Sequence, residues 1–263
     1  MAALEVDVEL LKNTPTRNEG LIKGIASDFS VKSSIHQDDH IFNFLINHAG
    51  FDSDESRIRY YFRDGQTSAM KLMGMLTRHL GGGPFSLFEF ASGYGCVTRH
   101  LVKEKDINLV SCDIHPQAIS FLAHELKVKA LQSRSIPEEV HPGRLYDAVF
   151  ALSFFSHMPI TTWSRWLVRL FSFVRPGGIF IFTTHGPRSL PFLGMEAPSS
   201  EFGFRFALRS EQADLPLEEY GLMAMDKEFV VKHINTLGNA ELLDDEVDSW
   251  WNHQDVFVVR RLS

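Results

Sequence analysis

Glu89 closes a short apolar run, Phe85–Phe90, and is followed at once by Ala91-Ser92-Gly93-Tyr94-Gly95, a turn built mostly of small residues. Small side chains let a ligand approach the backbone, and a helix starting after the turn would aim its free N–H groups into the same space. Asp113 stands 18 residues beyond Gly95, just after a second apolar run, Ile107–Cys112. A carboxylate there can accept the hydroxyls of a ribose; its plainer role is to cap a helix opening at Pro116. Turn and carboxylate together suit a nucleoside-bearing ligand. The dinucleotide fingerprint fits poorly, because its third glycine is replaced by Thr98 and its pyrophosphate would be repelled by Glu89. An acidic strand end favours a ligand with a cationic part.

Two histidines stand where the reactive end of such a ligand would lie. His157 follows the fourth apolar run and His185 ends the fifth. Ligands of open α/β sheets bind beyond the strand C-termini, and an imidazole there can serve as a base near neutral pH. The plainer roles are a cap or packing residue before Pro159 and a strand-end packing residue. The 12 histidines include no H-E-x-x-H and no pair spaced as a metal site, so no metal is expected. Trp250-Trp251 reads equally as packing or as an aromatic wall. Tyr60-Tyr61-Phe62-Arg63 reads as helix packing or as part of a lid.

These residues need a scaffold, and the hydrophobic pattern supplies one. Ile58, Tyr61, Phe62, Met70, Leu72, Met73, Met75 and Leu76 recur at helical spacing up to Gly81-Gly82-Gly83-Pro84. Strand-like and helix-like segments then alternate. Strands are expected at Phe85–Phe90, Ile107–Cys112, Val128–Leu131, Tyr146–Leu152 and Ile179–Thr184. Helices are expected at Gly93–Val102, Pro116–Leu126 and along Trp163–Val174, the last ended by Pro176-Gly177-Gly178. Asp255–Arg260 is a final strand at or near the sheet edge. The rhythm predicts an α/β chain: a doubly wound, mostly parallel seven-stranded sheet with helices on both faces. Residues 1–80 would form an N-terminal helical extension or lid. Residues 81–263 would form the main domain, with a cap insertion near 187–226.

Four segments resemble the motifs of one family. Glu89-x-Ala91-x-Gly93-x-Gly95 looks like the first motif of class I, Rossmann-like S-adenosylmethionine-dependent methyltransferases, with Ala91 in place of a glycine. Ser111-Cys112-Asp113-Ile114 resembles their second-strand acidic motif. Tyr146–Ser153 through His157-Met158-Pro159 is similar to the fourth-strand motif, and Arg175-Pro176-Gly177-Gly178 to the turn before strand five. Phe202-Gly203-Phe204-Arg205, Glu219-Tyr220-Gly221 and His253-Gln254-Asp255-Val256 resemble the tail of a bacterial subgroup. The resemblance implies S-adenosylmethionine as cofactor, with Glu89, Ala91, Ser92, Gly93 and Gly95 around its methionine end. It implies Asp113 on the ribose, Ile114 against the adenine, Ser133 and Ser135 near the adenine amino group, and Ala151 and Ser153 on the floor between donor and acceptor. His157 and His185 are the candidate bases.

Composition narrows the acceptor. A formal net charge of −7 argues against a large nucleic-acid footprint. The fourth strand runs into Ala-Leu-Ser-Phe, without the Asn/Asp-Pro-Pro-Tyr/Phe pattern of DNA amino methylation, and there is no Pro-Cys nucleophile. A small-molecule or a glycan- or lipid-linked acceptor is expected, methylated at oxygen or nitrogen, under a cap from the Phe- and Pro-rich region Leu190–Tyr220. The alternatives are a non-catalytic partner protein that keeps the fold and, less favoured, a nicotinamide-dependent oxidoreductase. Met1–Lys12 shows no basic leader and no run approaches a spanning helix, and the 2 cysteines form no disulfide framework; a cytoplasmic protein is expected.

Overall fold

The computed structural model describes residues 18–195, 203–210, 212 and 214–263. Met1–Lys12, and Pro198 and Phe202 of the expected cap, lie outside these residues.

Five strands follow the expected rhythm: β1 (Phe85–Phe90), β2 (Ile107–Asp113), β3 (Lys129–Gln132), β4 (Tyr146–Ala151) and β5 (Val174–His185). Strands β6 (Phe204–Ala207) and β7 (Leu222–Met225) form a separate antiparallel ribbon. β8 (Ala240–Trp250) and β9 (Gln254–Arg261) return to the main sheet, whose order is β3-β2-β1-β4-β5-β9-β8. β9 is antiparallel to both neighbours, and the pairings among β1 to β5 are parallel. The expected doubly wound seven-stranded sheet is therefore present. Its last strand lies one position inside the edge, because β8 takes the edge itself. β8 carries Glu241, Asp244, Asp245, Glu246 and Asp248, which mask it as a strand in the sequence and guard an exposed edge against pairing.

Alternation along the strands feeds two cores, one on each face of the sheet. Phe88, Phe90, Phe180, Phe182 and Phe257 meet Trp163, Trp166, Leu170 and Phe171 of a helix on one face. Leu87, Ile179, Ile181, Val256 and Val258 pack in the core that includes Leu72, Met75 and Leu76 on the other. The Phe-rich composition is thus concentrated on one side of the sheet.

Eight α-helical segments among the described residues complete the fold. α1 (Glu19–Asp28) and α2 (His40–Ile46) pack with the start of α3 (Asp54–Leu80) as the N-terminal helical extension. α3 opens on a Ser53–Ser56 capping box, carries Asp54 and Glu55 in its first turn and Arg78 and His79 in its last, and stops at Gly81. α4 (Thr98–Leu101) and α5 (Pro116–Phe121) follow β1 and β2. α6 (Ile160–Phe171) precedes β5, and α7 (Leu190–Leu193) and α8 (Lys227–Asn235) flank the small ribbon. No helix among the described residues is long and apolar enough to cross a membrane.

Three local expectations are corrected. The helix expected over Gly93–Val102 is the single turn α4, since Gly93 and Gly95 both have positive φ, at 54° and 81°. The stretch Pro116–Leu126 leaves α-geometry at Phe121 and ends in a wider π-turn closed by Lys127 in the left-handed conformation. Pro176-Gly177-Gly178 lies inside β5, where the register with β4 shifts, and α6 has already ended at Phe171.

Candidate active site

The C-terminal ends of β1, β2 and β4 converge where the chain turns from one half of the sheet to the other, the place where open α/β sheets bind ligands. At the end of β1, Ala91 adopts φ 56°, a conformation that glycine enters freely and alanine does not. The turn beyond it is fastened to β2: the Gly93 N–H donates to Asp113 Oδ2 at 2.7 Å. Gly95, at φ 81°, holds a conformation that L side chains rarely adopt, and an added Cβ would have to displace Leu126 Cδ1, 2.5 Å away. The first motif is thus a strand-to-loop clasp more than a helix N-terminus.

Both Asp113 oxygens have work. Oδ1 accepts from the His115 N–H at 3.0 Å and from His115 Nδ1 at 2.8 Å. This closes an Asx-type turn after β2. Asp113 does not cap α5, whose N-cap residue is His115. The hydrogen bond to Asp113 raises the His115 pKa above its ordinary value.

Glu89 sits behind the turn, 3% exposed, with Oε2 accepting from Thr98 Oγ1 at 2.7 Å and Ser111 Oγ at 2.8 Å. Burial pushes its pKa up to about 7, against the two hydroxyl hydrogen bonds that favour the charged form. Thr98, the residue that spoils the dinucleotide pattern, is the partner that holds this acid.

At the end of β4, Ser153 also has φ 56° and is held from three sides. Its N–H donates to Thr183 Oγ1 at 2.8 Å, and its Oγ accepts from Gln254 Nε2 at 2.8 Å. Ser156 Oγ lies 3.3 Å from the same hydroxyl. His157 Nδ1 donates to the Gly221 carbonyl at 2.8 Å, and its ring stacks on Tyr220 with centroids 4.4 Å apart. The segment leading into β7 therefore sets the orientation and tautomer of His157.

A cavity of about 410 Å³ joins these strand ends. Ala91, Ser92, Gly93, Asp113, Ile114, Ser133 and Ser135 line one end of it, and Ser153 and His157 line the other. Four expected site residues are not on its wall. Glu89 and Gly95 lie beneath the turn, and Ala151 is fully buried in the sheet. His185 is buried, with Nδ1 donating to the Met223 carbonyl at 3.0 Å, and desolvation beside His157 and His253 lowers its pKa to about 3. It stays neutral as a packing residue behind His157.

The walls include Leu215, Pro216 and Glu219 from the region expected as a cap, and residues not singled out as site residues in the sequence: Asp39, His40 and Ile41 at the start of α2, Tyr94, Phe154, Met158 and Trp166. Trp166 belongs to the helix expected along Trp163–Val174, and it is part of both the core and the cavity wall. The aromatic pair divides. Trp250 is buried against Phe150, while Trp251 lines the cavity and donates through Nε1 to Asp64 Oδ1 at 2.5 Å. Trp251 and Asn252 both have positive φ, at 53° and 59°, in the β8–β9 turn. Tyr60–Arg63 do not reach the cavity; Tyr61 and Phe62 are fully buried in α3. One arrangement has no sequence signature at all: His40, His115 and Asp214, from three distant segments, bring their ligand atoms within 4.8 Å of one another.

Residues 88–180 match the model of a family described as a methyltransferase domain. The fold is that of the class I S-adenosylmethionine-dependent methyltransferases. An S-adenosylmethionine-dependent methyltransferase from Clostridium acetobutylicum aligns at TM-score 0.58 and 14% identity, over 85% of this chain and 97% of that one. The sugar N-methyltransferase KedS8 from a Streptoalloteichus species aligns at TM-score 0.58 and 15% identity, over 82% and 96%. A 1,6-didemethyltoxoflavin-N1-methyltransferase from Burkholderia thailandensis aligns at TM-score 0.54 and 14% identity, over 79% and 87%. No curated protein sequence matches the chain. Within the methyltransferase fold, the family match spans β1 to β5, so the two helices before α3 and the segment that orients His157 lie outside it.

Two predictions follow from the geometry of the first motif. Ala91→Gly relieves a left-handed alanine and should stabilise the domain by about 1 kcal/mol, equivalent to a melting-temperature rise of about 2–4 °C; an unchanged or lower melting temperature refutes the strain. Glu89 retains its proton in the folded state up to about pH 7, whereas it ionises near 4.5 when exposed. Stability linked to Glu89 is therefore fully present below about pH 4.5 and is lost as pH rises to about 7. Glu89→Gln keeps an acceptor for Thr98 and Ser111 but cannot ionise. Its stability relative to the parent should improve by up to roughly 3 kcal/mol between about pH 4 and pH 8. Urea denaturation at both pH values measures the gap, and a pH-independent gap would refute the assignment.

Proposed function

We propose that the chain transfers a methyl group from S-adenosylmethionine to a small-molecule or a glycan- or lipid-linked acceptor, at oxygen or nitrogen. The observation that carries this reading is one continuous cavity, with the Gly93–Asp113 clasp at one end and His157 on Tyr220 at the other. Its volume of about 410 Å³ and its mainly apolar wall with a few fixed polar groups suit a nucleoside donor beside an organic acceptor. The donor chemistry fits the residues present. Asp113 on the cavity wall gives the turn an acidic neighbour, which suits a cationic ligand, and α4 begins too late to seat a pyrophosphate on its N-terminus.

When bound, S-adenosylmethionine supplies a methyl group on a sulfonium, ready for in-line displacement. The chain's part is to bind, align and dehydrate. Asp113 would hold the ribose, Ile114, Ser133 and Ser135 the adenine side, and Ala91, Ser92 and Gly93 the methionine end. Ser153, fixed by Thr183 and Gln254, would line the floor beside His157 where donor and acceptor meet. With Nδ1 committed to the Gly221 carbonyl, His157 presents Nε2 as the atom able to take the acceptor's proton. Phe154, Met158, Trp166 and Leu215 would seat the acceptor's apolar part and exclude water. Solved structures with this fold include glycopeptide and sugar N-methyltransferases, which supports the acceptor class.

Calorimetric titration with S-adenosylmethionine and S-adenosylhomocysteine tests the donor: saturable binding is expected, and none by folded protein defeats the proposal. Asp113→Asn should weaken that binding by about tenfold or more, the loss expected for a charged hydrogen bond of 1.5–3 kcal/mol. A homocysteine-release screen over hydroxylated and amino-bearing acceptors tests turnover. On an acceptor that must lose a proton, His157→Gln should lower kcat by about 10²–10⁴-fold with donor affinity unchanged. Equal loss of donor affinity would make His157 a binding residue, and donor binding without turnover on any acceptor would mark a non-catalytic partner protein.

A further inference from the structure

At the rim of the cavity, three segments far apart in sequence meet. His40 opens α2, His115 follows the end of β2, and Asp214 belongs to the cap region. His115 Nε2 lies 3.0 Å from Asp214 Oδ2, and His40 Nε2 lies 3.7 Å from Asp214 Oδ1. Two ligand atoms of a tetrahedral zinc site stand about 3.3 Å apart, given zinc–ligand bonds of ~2.0–2.1 Å. The two distances run to different oxygens of the one carboxylate, and the ligand atoms of all three residues lie within 4.8 Å of one another, so a small inward shift brings them to that spacing.

The electronic arrangement is as telling as the spacing. Asp113 Oδ1 accepts from His115 Nδ1 at 2.8 Å, so Nδ1 carries the proton and Nε2 of the neutral ring carries a lone pair. That lone pair faces the Asp214 carboxylate, and the His115 and His40 Nε2 atoms are both buried without a hydrogen-bond partner. Two acceptors in contact repel unless a proton or a metal ion lies between them, and one metal ion can serve both the His40 and His115 nitrogens at once. A carboxylate that orients a histidine whose far nitrogen binds a metal is the common outer-shell arrangement of zinc sites, and it raises the basicity of the ligating nitrogen. The imidazole rings of His40 and His115 are tilted together with centroids 5.2 Å apart, which lets both Nε2 atoms approach one point.

We propose that His40, His115 and Asp214 form a divalent transition-metal site of the zinc type, with Asp113 as the orienting carboxylate. The chain supplies three ligands, and the fourth position is left to water or to a ligand atom from the cavity. The ion would join three segments far apart in sequence, at His40, His115 and Asp214, beside Asp113. The site goes beyond methyl transfer and does not depend on it, since its test reads metal binding alone.

The test uses the full chain, freed of any affinity tag and of metal by chelation and dialysis. Titration with zinc chloride, followed by calorimetry, should show saturable binding of one ion per chain. Cobalt(II) in its place should give the intense visible absorption of a tetrahedral site. The melting temperature should rise with zinc and fall back with chelator. His40→Ala and Asp214→Asn should each weaken zinc binding by at least ~10-fold, as loss of a first ligand exceeds the 10–100-fold cost of losing an outer partner. His124→Ala, an exposed histidine on the π-turn, should bind as the parent does. Zinc binding that survives both ligand variants overturns the proposal, as does its absence from parent protein that folds by circular dichroism.

Discussion

The Asp113 carboxylate is the constraint on which the ligand end of this molecule depends. Strand β2 ends in a side chain that reaches across to the turn after β1, takes the Gly93 N–H, and uses its second oxygen to close its own following loop on His115. Two loops that would otherwise move separately are held as one unit. A hydrogen bond to an ionised acceptor is stronger than a neutral one. Here it is also shielded, because Asp113 is only 5% exposed. The same carboxylate that would bind ribose is thus already spent on building the place where ribose would lie, so its two roles cannot be cleanly separated by deletion.

Behind that clasp, a second buried charge fixes the cover. Arg99 is 1% exposed and distributes its guanidinium over the Gly95 carbonyl at 3.1 Å, the Lys32 and Ser34 carbonyls at 2.9 and 3.1 Å, and the Tyr61 hydroxyl at 3.0 Å. Tyr61 in turn donates to Asp39 at 2.6 Å, and Asp39 caps α2 through the Phe42 N–H. One cation therefore joins the glycine turn, α3 and the segment before α2. A buried charge is tolerated only when paired and fully hydrogen-bonded, so the network admits few alternative arrangements. Gly65 completes the fit: a Cβ there would lie 2.1 Å from the Cys96 carbonyl, and its absence lets α3 approach the turn. Asp39, His40 and Ile41 reach the cavity because of this chain of contacts.

The reach of sequence reasoning follows from which of these features are periodic. The strands β1 to β5 and the helix α6 are legible because burial on two faces forces long apolar runs and a 3.6-residue stripe. Glu89, Gly93, Gly95 and Asp113 are legible because one local segment must combine small residues with an acid. β8 is hidden, since an edge strand carries charge where an inner strand carries valine. Arg99, Gln254 and Thr183 are hidden for a different reason. Each acts by bridging residues 30 to 101 positions away, such as Thr183 to Ser153 and Gln254 to Ser153, and a single sequence contains no mark of such a pairing. Trp250-Trp251 shows the same limit at closest range: adjacent identical residues point one to the core and one to the cavity because the strand ends between them.

Strain is distributed in the same uneven way. Ala91 and Ser153, at the ends of β1 and β4, both hold left-handed backbone, as does Trp251 in the β8–β9 turn, and all three line the cavity. Left-handed conformations cost roughly 1–2 kcal/mol in non-glycine residues, and such residues persist only where the surroundings over-determine them. Here the surroundings can be named: the Gly93–Asp113 clasp beside Ala91, the Thr183–Gln254 pair around Ser153, and Asp64 on the Trp251 indole. Each restraint comes from a different neighbouring element, which fits a cavity whose two ends answer to different demands. The end at Ala91 and Asp113 is shaped by a local motif within the family match. The end at His157 is shaped from outside that match, through the Gly221 carbonyl on His157 and Tyr220 against its ring. A change around Gly221 would therefore alter the surroundings of His157 and leave the Gly93–Asp113 clasp as it is.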